Sequence, residues 1–184
     1  QIGESLREPE PGREADMRYP SLETFLADGK AALAKGPVAL IFVEDLAATD
    51  STIRYHRDKG FTTVVVFAPA EIVLESEGED RVVRVDYNVT AQNALVDAVN
   101  AVIEAAPGLW LYYGFNAEYL FYPFCETRSV GEMLTFHSGE RRDAMLTYVV
   151  DAYAGDLSRY PDAVSLDAAW MDKAGYYALG RPDP

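Results

Sequence analysis

LWLYYGFNAEYLFYPFCETR, residues 109–128, is the stretch whose reading decides the fold. Its first seven residues, 109–115, are aromatic and aliphatic with almost no polar interruption, the composition of a strand buried on both faces of an α/β sheet. Asn116 and Glu118 follow at once, then Glu126 and Arg128. In open α/β sheets ligands bind beyond the carboxyl ends of the strands, so this polar cluster is the first candidate site.

Upstream, PVALIFV at 37–43 is a second continuous apolar run of strand length and reads as the first central strand. Glu44 and Asp45 stand directly after it, again at a carboxyl end, and form the second candidate site. Thr49 or Asp50 caps a short helix through Lys59, Gly60 stops it, and FTTVVVF at 61–67 is β-branched enough for the next strand. A strand, helix, strand unit of this length predicts a parallel pair with a right-handed crossover. ESEGED at 75–80 reads as a solvated charged loop, and 81–87 alternates as a third strand, a candidate for an edge. Thr90 caps a helix to Ala106 whose Ala91, Ala94, Leu95, Ala98, Val99, Val102 and Ile103 keep close to the helical period. Pro107 and Gly108 end it and lead into 109–115.

At the front, residues 1–19 are rich in Glu, Arg, Pro and Gly with few apolar groups to bury, and a flexible arm is expected. Ser21 then caps a helix with Leu22, Phe25, Leu26 and Leu33 near one face, stopped at Gly36. Beyond 128, Ser129 with Glu132 three residues on is a capping-box signature for a short helix through His137, and Gly139 lies in the turn that follows. AMLTYVVDAY at 144–153 reads as another strand that brings Asp151 towards its end, while residues from Gly155 onward are mixed and weakly periodic. No repeat or interdomain linker interrupts the pattern. The expected organisation is the arm 1–19 followed by a single α/β domain over 20–184, which suits a chain of 184 residues with 49% hydrophobic content.

Composition excludes several classes of function. A formal net charge of −14 argues against a phosphate-backbone partner, because nucleic-acid binding relies on clustered Lys and Arg. The single cysteine, Cys125, sits in an aromatic stretch without a Cys-His-Asn companion set and reads as buried filler. One cysteine cannot form an internal disulfide, so the default expectation is a cytoplasmic protein. No apolar run approaches the roughly 20 residues that span a bilayer, and the first residues are acidic and polar rather than those of a signal peptide. G-x-G-x-x-G, G-x-x-x-x-G-K-[ST] and G-x-S-x-G are all missing, which argues against a dinucleotide dehydrogenase, a P-loop enzyme and a serine hydrolase. His56 and His137, the only histidines, lack the neighbours of a zinc site and read as helix-end residues.

What remains is oxygen and guanidinium chemistry. Asn116 and Glu118 have the donors to hold a divalent cation or sugar-phosphate oxygens; the alternative for Glu118 is an ion pair with Arg128 or a cap on a backbone amide. Glu44 and Asp45 either accept hydrogen bonds from a ribose or base, or end a strand in water. Arg128, Arg141 and Arg142 either make planar two-point contacts with a phosphate or pair with the abundant carboxylates.

The run AEYLFYPFCETR, followed by GEML and RRDAML, resembles bacterial family 2 glycosyltransferases, in which an apolar strand ends in D-x-D-E-[FY]-L with a Y-P and a C-E-T-R downstream. Glu118, Tyr119, Leu120, Tyr122, Pro123 and Cys125 to Arg128 match; Phe115 and Ala117 stand where that family has its two aspartates. Glu44 and Asp45, then Tyr55 and His56, then Gly60 are similar to the family's N-E, Y-H and G, whereas Ala68, Pro69 and Ala70 replace its acidic turn. Covering roughly residues 37–177, the resemblance implies a Rossmann-like GT-A-type three-layer sandwich with a mostly parallel central sheet. It implies a nucleotide-sugar bound at Glu44, Asp45, Asn116, Glu118 and Arg128, and inverting glycosyl transfer with Asp151 as the candidate base. A divalent cation, Mn or Mg, would have Glu118 as its protein ligand. The resembled enzymes continue into an acceptor-binding half that is not in this sequence, and the alternative is a non-catalytic binding or interaction module on the same fold.

Overall fold

The two long apolar runs lie side by side. In the computed structural model, which describes residues 17–171, strand β2 (Val38–Phe42) and strand β5 (Leu111–Phe115) are parallel neighbours, in register from Val38 opposite Leu111 to Phe42 opposite Phe115. On the other side of β2 lie β3 (Thr63–Ala68), β4 (Val82–Asp86) and the two-residue β1 (Arg18–Tyr19), all parallel, giving the order β1-β4-β3-β2-β5. The chain therefore builds outward from β2 through β3 to β4, then returns past β2 to lay down β5. That reversal creates a topological switch point between the carboxyl ends of β2 and β5.

Because successive strand side chains point to opposite faces, a continuous apolar strand feeds two cores at once. Ala39, Ile41 and Val43 pack with Ile53 of helix α2 (Thr49–Asp58) and with Val130 and Leu134 of helix α4 (Val130–Gly139). Val38, Leu40 and Phe42 pack with Phe25 of helix α1 (Leu22–Asp28) and with Ala98, Val99 and Val102 of helix α3 (Ala94–Ala105). Each fully buried Val, Leu, Ile or Phe contributes about 1.5–3 kcal/mol by leaving water. The result is a three-layer α/β sandwich around a parallel, Rossmann-like sheet.

Several expectations are corrected. The 109–115 run is not buried on both faces: β5 is an edge strand, and Tyr113 is 53% exposed because the sheet continues only on the β2 side among the described residues. Arg18 and Tyr19 belong to the sheet rather than to an arm, with the Arg84 amide donating to the Met17 carbonyl at 2.6 Å; β4 is therefore interior. Residues 1–16 and 172–184 lie outside the described residues. Ser21 caps α1 as expected, but Gly29 ends the helix early and a 3-10 turn (Lys30–Leu33) follows. Helices α2 and α3 start from left-handed Ala48 and Asn93 with no side-chain cap. Thr49 instead bonds the Asp45 carbonyl, Asp50 accepts from the Ser76 amide, and Thr90 lies in a turn on Asn88. The Ser129 and Glu132 capping box is present.

The strand expected at 144–153 exists only as β6 (Ala152–Ala154), paired antiparallel with β7 (Ala169–Met171) in a separate two-stranded sheet. Leu146, Tyr148 and Val149 are exposed. β-propensity measures fit to a half-buried pleated surface, and among the described residues no strand pairs with 144–151. The charged run 75–80 is not simply solvated either. It lies in a helix-free crossover, 69–81, whose Leu74 enters the core while Glu77 pairs with Arg18 and the buried Arg84, and Glu79 pairs with Arg54 and Arg57. No helix among the described residues is long and apolar enough to cross a membrane.

Candidate functional site

Glu44 and Asp45 leave the carboxyl end of β2, and Asn116 to Glu118 leave that of β5, so the two candidate tips meet at the switch point. The Asn116 amide N–H donates to the Phe42 carbonyl at 3.0 Å and carries the ladder one residue past β5. Its side chain then stitches the tips together: Oδ1 accepts from the Glu44 amide at 2.9 Å, and Nδ2 donates to Asp45 Oδ1 at 2.7 Å and to the Ala47 carbonyl at 3.1 Å. Asp45 Oδ1 also accepts from the Ala47 amide at 2.8 Å. Ala117 takes a left-handed φ of 62°, and its amide donates to Thr52 Oγ1 at 3.0 Å, tying the β5 tip to α2.

Glu118 turns back on its own strand. Its Oε2 accepts from the Phe115 amide at 2.8 Å, so the capping alternative is the one realised and no pair with Arg128 forms. Gly114 makes room for this: a Cβ there would lie 2.8 Å from that oxygen and 2.6 Å from Tyr112 Oη.

Thus Glu44, Asp45, Asn116 and Glu118 gather at one end of β2 and β5. The other two candidates that the resemblance names lie elsewhere. Arg128 pairs with Glu132 at 2.7 Å on the first turn of α4, and Asp151 is exposed just before β6. Among the described residues no group of three or more His, Cys, Asp or Glu side chains could hold a metal ion. One oxygen each of Asp45 and Glu118 is already engaged by the protein, Phe115 packs on Phe42 with ring centroids 6.1 Å apart, and Ala117 offers no side-chain donor. The residues present therefore do not fit a cation held by the protein alone.

Sequence reading passed over the groups that fix the 116–128 loop to α2. Tyr55 donates to the Leu120 carbonyl at 2.7 Å, Tyr119 to Ser51 Oγ at 3.0 Å, and the Lys59 ammonium to the Cys125 carbonyl at 2.7 Å. Beneath them His56 stands in the last turn of α2, the helix-end position expected of it, and its side chain is buried. Its Nδ1 lies 2.8 Å from the Thr52 carbonyl and its ring stacks on Tyr112 at 4.8 Å, while Nε2 has no hydrogen-bond partner among the described residues. Burial lowers its pKa to about 4, so the ring is neutral near pH 7 with the Nδ1 proton given to Thr52. Burial likewise raises the Tyr55 hydroxyl to about 12, keeping it a donor. The adjacent Tyr55 and His56 were the signal available: two polar aromatics of which one must face inward on a helix whose neighbouring Ile53 does.

An apolar cavity of about 80 Å³ lies at the opposite, amino end of β2 and β5, lined by Pro37, Phe61, Trp110, Leu120, Met133 and Met145 among others, and none of the switch-point residues lines it. In comparisons with known proteins, no family model, no curated protein and no solved structure matches the chain.

Proposed function

We propose that this chain is a glycosyltransferase-like domain that binds a nucleotide-sugar at the carboxyl ends of β2 and β5. One observation carries the reading: Glu44 with Asp45, and Asn116 with Glu118, leave neighbouring parallel strands where the strand order reverses, the place where open α/β sheets take nucleotides. The exposed Glu44 and Asp45 carboxylates suit the hydroxyls of a ribose or the N–H groups of a base. A diphosphate would bring its own countercharge as a solution cation, since the tip supplies no set of three ligands.

Asp151, the candidate base, is exposed before β6 rather than at the tip, and Asp45 Oδ1 and Glu118 Oε2 are engaged in closing the tip. These observations favour a second reading, a binding module without catalysis. Calorimetric titration with nucleoside diphosphates and nucleotide-sugars, with and without Mn²⁺, tests both. Binding with slow release of the diphosphate in the presence of acceptors supports transfer, binding without release supports the module, and silence at millimolar ligand removes both.

A further inference from the structure

We infer that the Asn116 amide does here what a cation would do between converging oxygens: it closes the switch-point tip, which is thereby organised without metal. The inference rests on the reading of the switch point as the binding site. Asp45 Oδ1 and the Ala47 carbonyl converge on Asn116 Nδ2 at 2.7 and 3.1 Å. A carboxylate and a carbonyl oxygen aimed at one centre are donors of the kind that hard divalent cations take. In this chain that centre is an NH₂ group, whose two N–H bonds satisfy both oxygens without a formal positive charge.

The partners fix the amide's orientation. The Glu44 amide is a donor and must meet Oδ1, whereas Asp45 and Ala47 present acceptors and must meet Nδ2. The same tip is held by Thr49 Oγ1 on the Asp45 carbonyl at 2.7 Å and by Thr52 Oγ1 on the Ala48 carbonyl at 2.9 Å. Residues 44–48 are thus held by these hydrogen bonds of the chain, and Asn116 Nδ2 stands where a bridging cation would sit.

The residue type at 116 then decides between two chemistries. Asn116→Asp is nearly isosteric, keeps the acceptor for Glu44, and turns the donor into an oxygen facing Asp45 Oδ1 and the Ala47 carbonyl. Three oxygens without a proton between them repel until a cation enters. Asn116→Ala removes the closure and creates no such site.

Thermal melting of the full chain in EDTA and in millimolar Mn²⁺, with the free Mn²⁺ signal followed by electron paramagnetic resonance, reads the difference. The parent should melt within about 1 °C in the two buffers; Asn116→Asp should lose on the order of 5 °C in EDTA and recover most of it with Mn²⁺, and Asn116→Ala should lose a similar amount and recover nothing. An Asn116→Asp protein indifferent to both buffers overturns the inference. If that variant does not fold, the parent and Asp45→Ala decide alone: Mn²⁺ uptake by the parent that vanishes in Asp45→Ala overturns it, and equal uptake by the two supports it. No arm contains a nucleotide, so failure of nucleotide binding and failure of this inference are separate results.

Discussion

The two crossovers on the α2 side of the sheet join neighbouring parallel strands by opposite means. From β2 to β3 the chain runs through α2, whose buried Ile53 and His56 sit among Phe61 and Tyr112. From β3 to β4 it runs through 69–81 with no helix, and only Ile72 and Leu74 reach the apolar core. There the guanidinium of Arg84, 1% exposed, donates to Glu77 at 2.9 Å, to Asp86 at 3.1 Å and to the Pro69 carbonyl at 2.9 Å. Arg18 bonds the same two carboxylates from β1, so the ion network also anchors the first strand. One connection is held by shape and the other by charge. Apolar burial tolerates small changes of position, whereas a buried guanidinium requires all its partners at once.

Removing one member of the charged crossover should therefore cost most. Arg84→Ala strips a buried stem and leaves Glu77 and Asp86 to Arg18 alone, and should destabilise by about 4 kcal/mol in urea unfolding. A loss below about 1 kcal/mol would mean that water replaces the guanidinium without penalty.

The apolar crossover should break through pH. His56 has a folded pKa of about 4, below the roughly 6.5 of an unfolded histidine. Its contribution is thus fully present above about pH 6.5 and is lost as pH falls towards 4, since the unfolded chain takes up the proton first; the total is on the order of 3 kcal/mol. Unfolding free energies measured between pH 7.5 and 4.5 should show this slope in the parent and a shallower one in His56→Phe. Parallel slopes would remove His56 as the cause.

The smallest effect sharpens the comparison at the switch point, where α2 meets β5. Ala117 holds a φ of 62° with its amide on Thr52, a backbone that disfavours a Cβ by about 1–2 kcal/mol. Ala117→Gly should stabilise by about 0.5–1 kcal/mol after the added freedom of the unfolded chain is counted. A higher denaturation midpoint with an unchanged slope checks it.

The difference between the crossovers also explains what could be read from the chain. Runs 37–43, 61–67, 81–87 and 109–115 all coincide with observed strands to within two residues, because continuous or alternating β-branched and aromatic residues have few other uses. Gly60 and Gly108 mark helix ends at φ of 93° and 81°. That Glu44, Asp45, Asn116 and Glu118 follow the carboxyl ends of strands was legible from position alone, since they are the first polar groups after apolar runs. Their bonds were not, because Asn116 meets Glu44 only once β5 has returned beside β2. Glu77, Glu79, Arg54 and Arg84 were illegible for a related reason: an isolated charge in sequence looks solvated, and only tertiary neighbours turn it inward. The 144–153 run erred the other way, apolar enough for a strand but, among the described residues, with a neighbour to pair only at its end.

Glu118 has one further consequence. Since the Trp110 carbonyl and the Asn116 amide both bond β2, the alternating residues Leu111, Tyr113 and Phe115 turn their backbone groups away from it. The last of those amides is occupied by the Glu118 carboxylate. A foreign strand sliding along this margin would meet a blocked donor and a negative charge at its far end, which are obstacles to adding a further strand there. The same side chain that shapes the tip thus acts as a bumper against open-ended self-stacking, in a molecule whose margin would otherwise invite it.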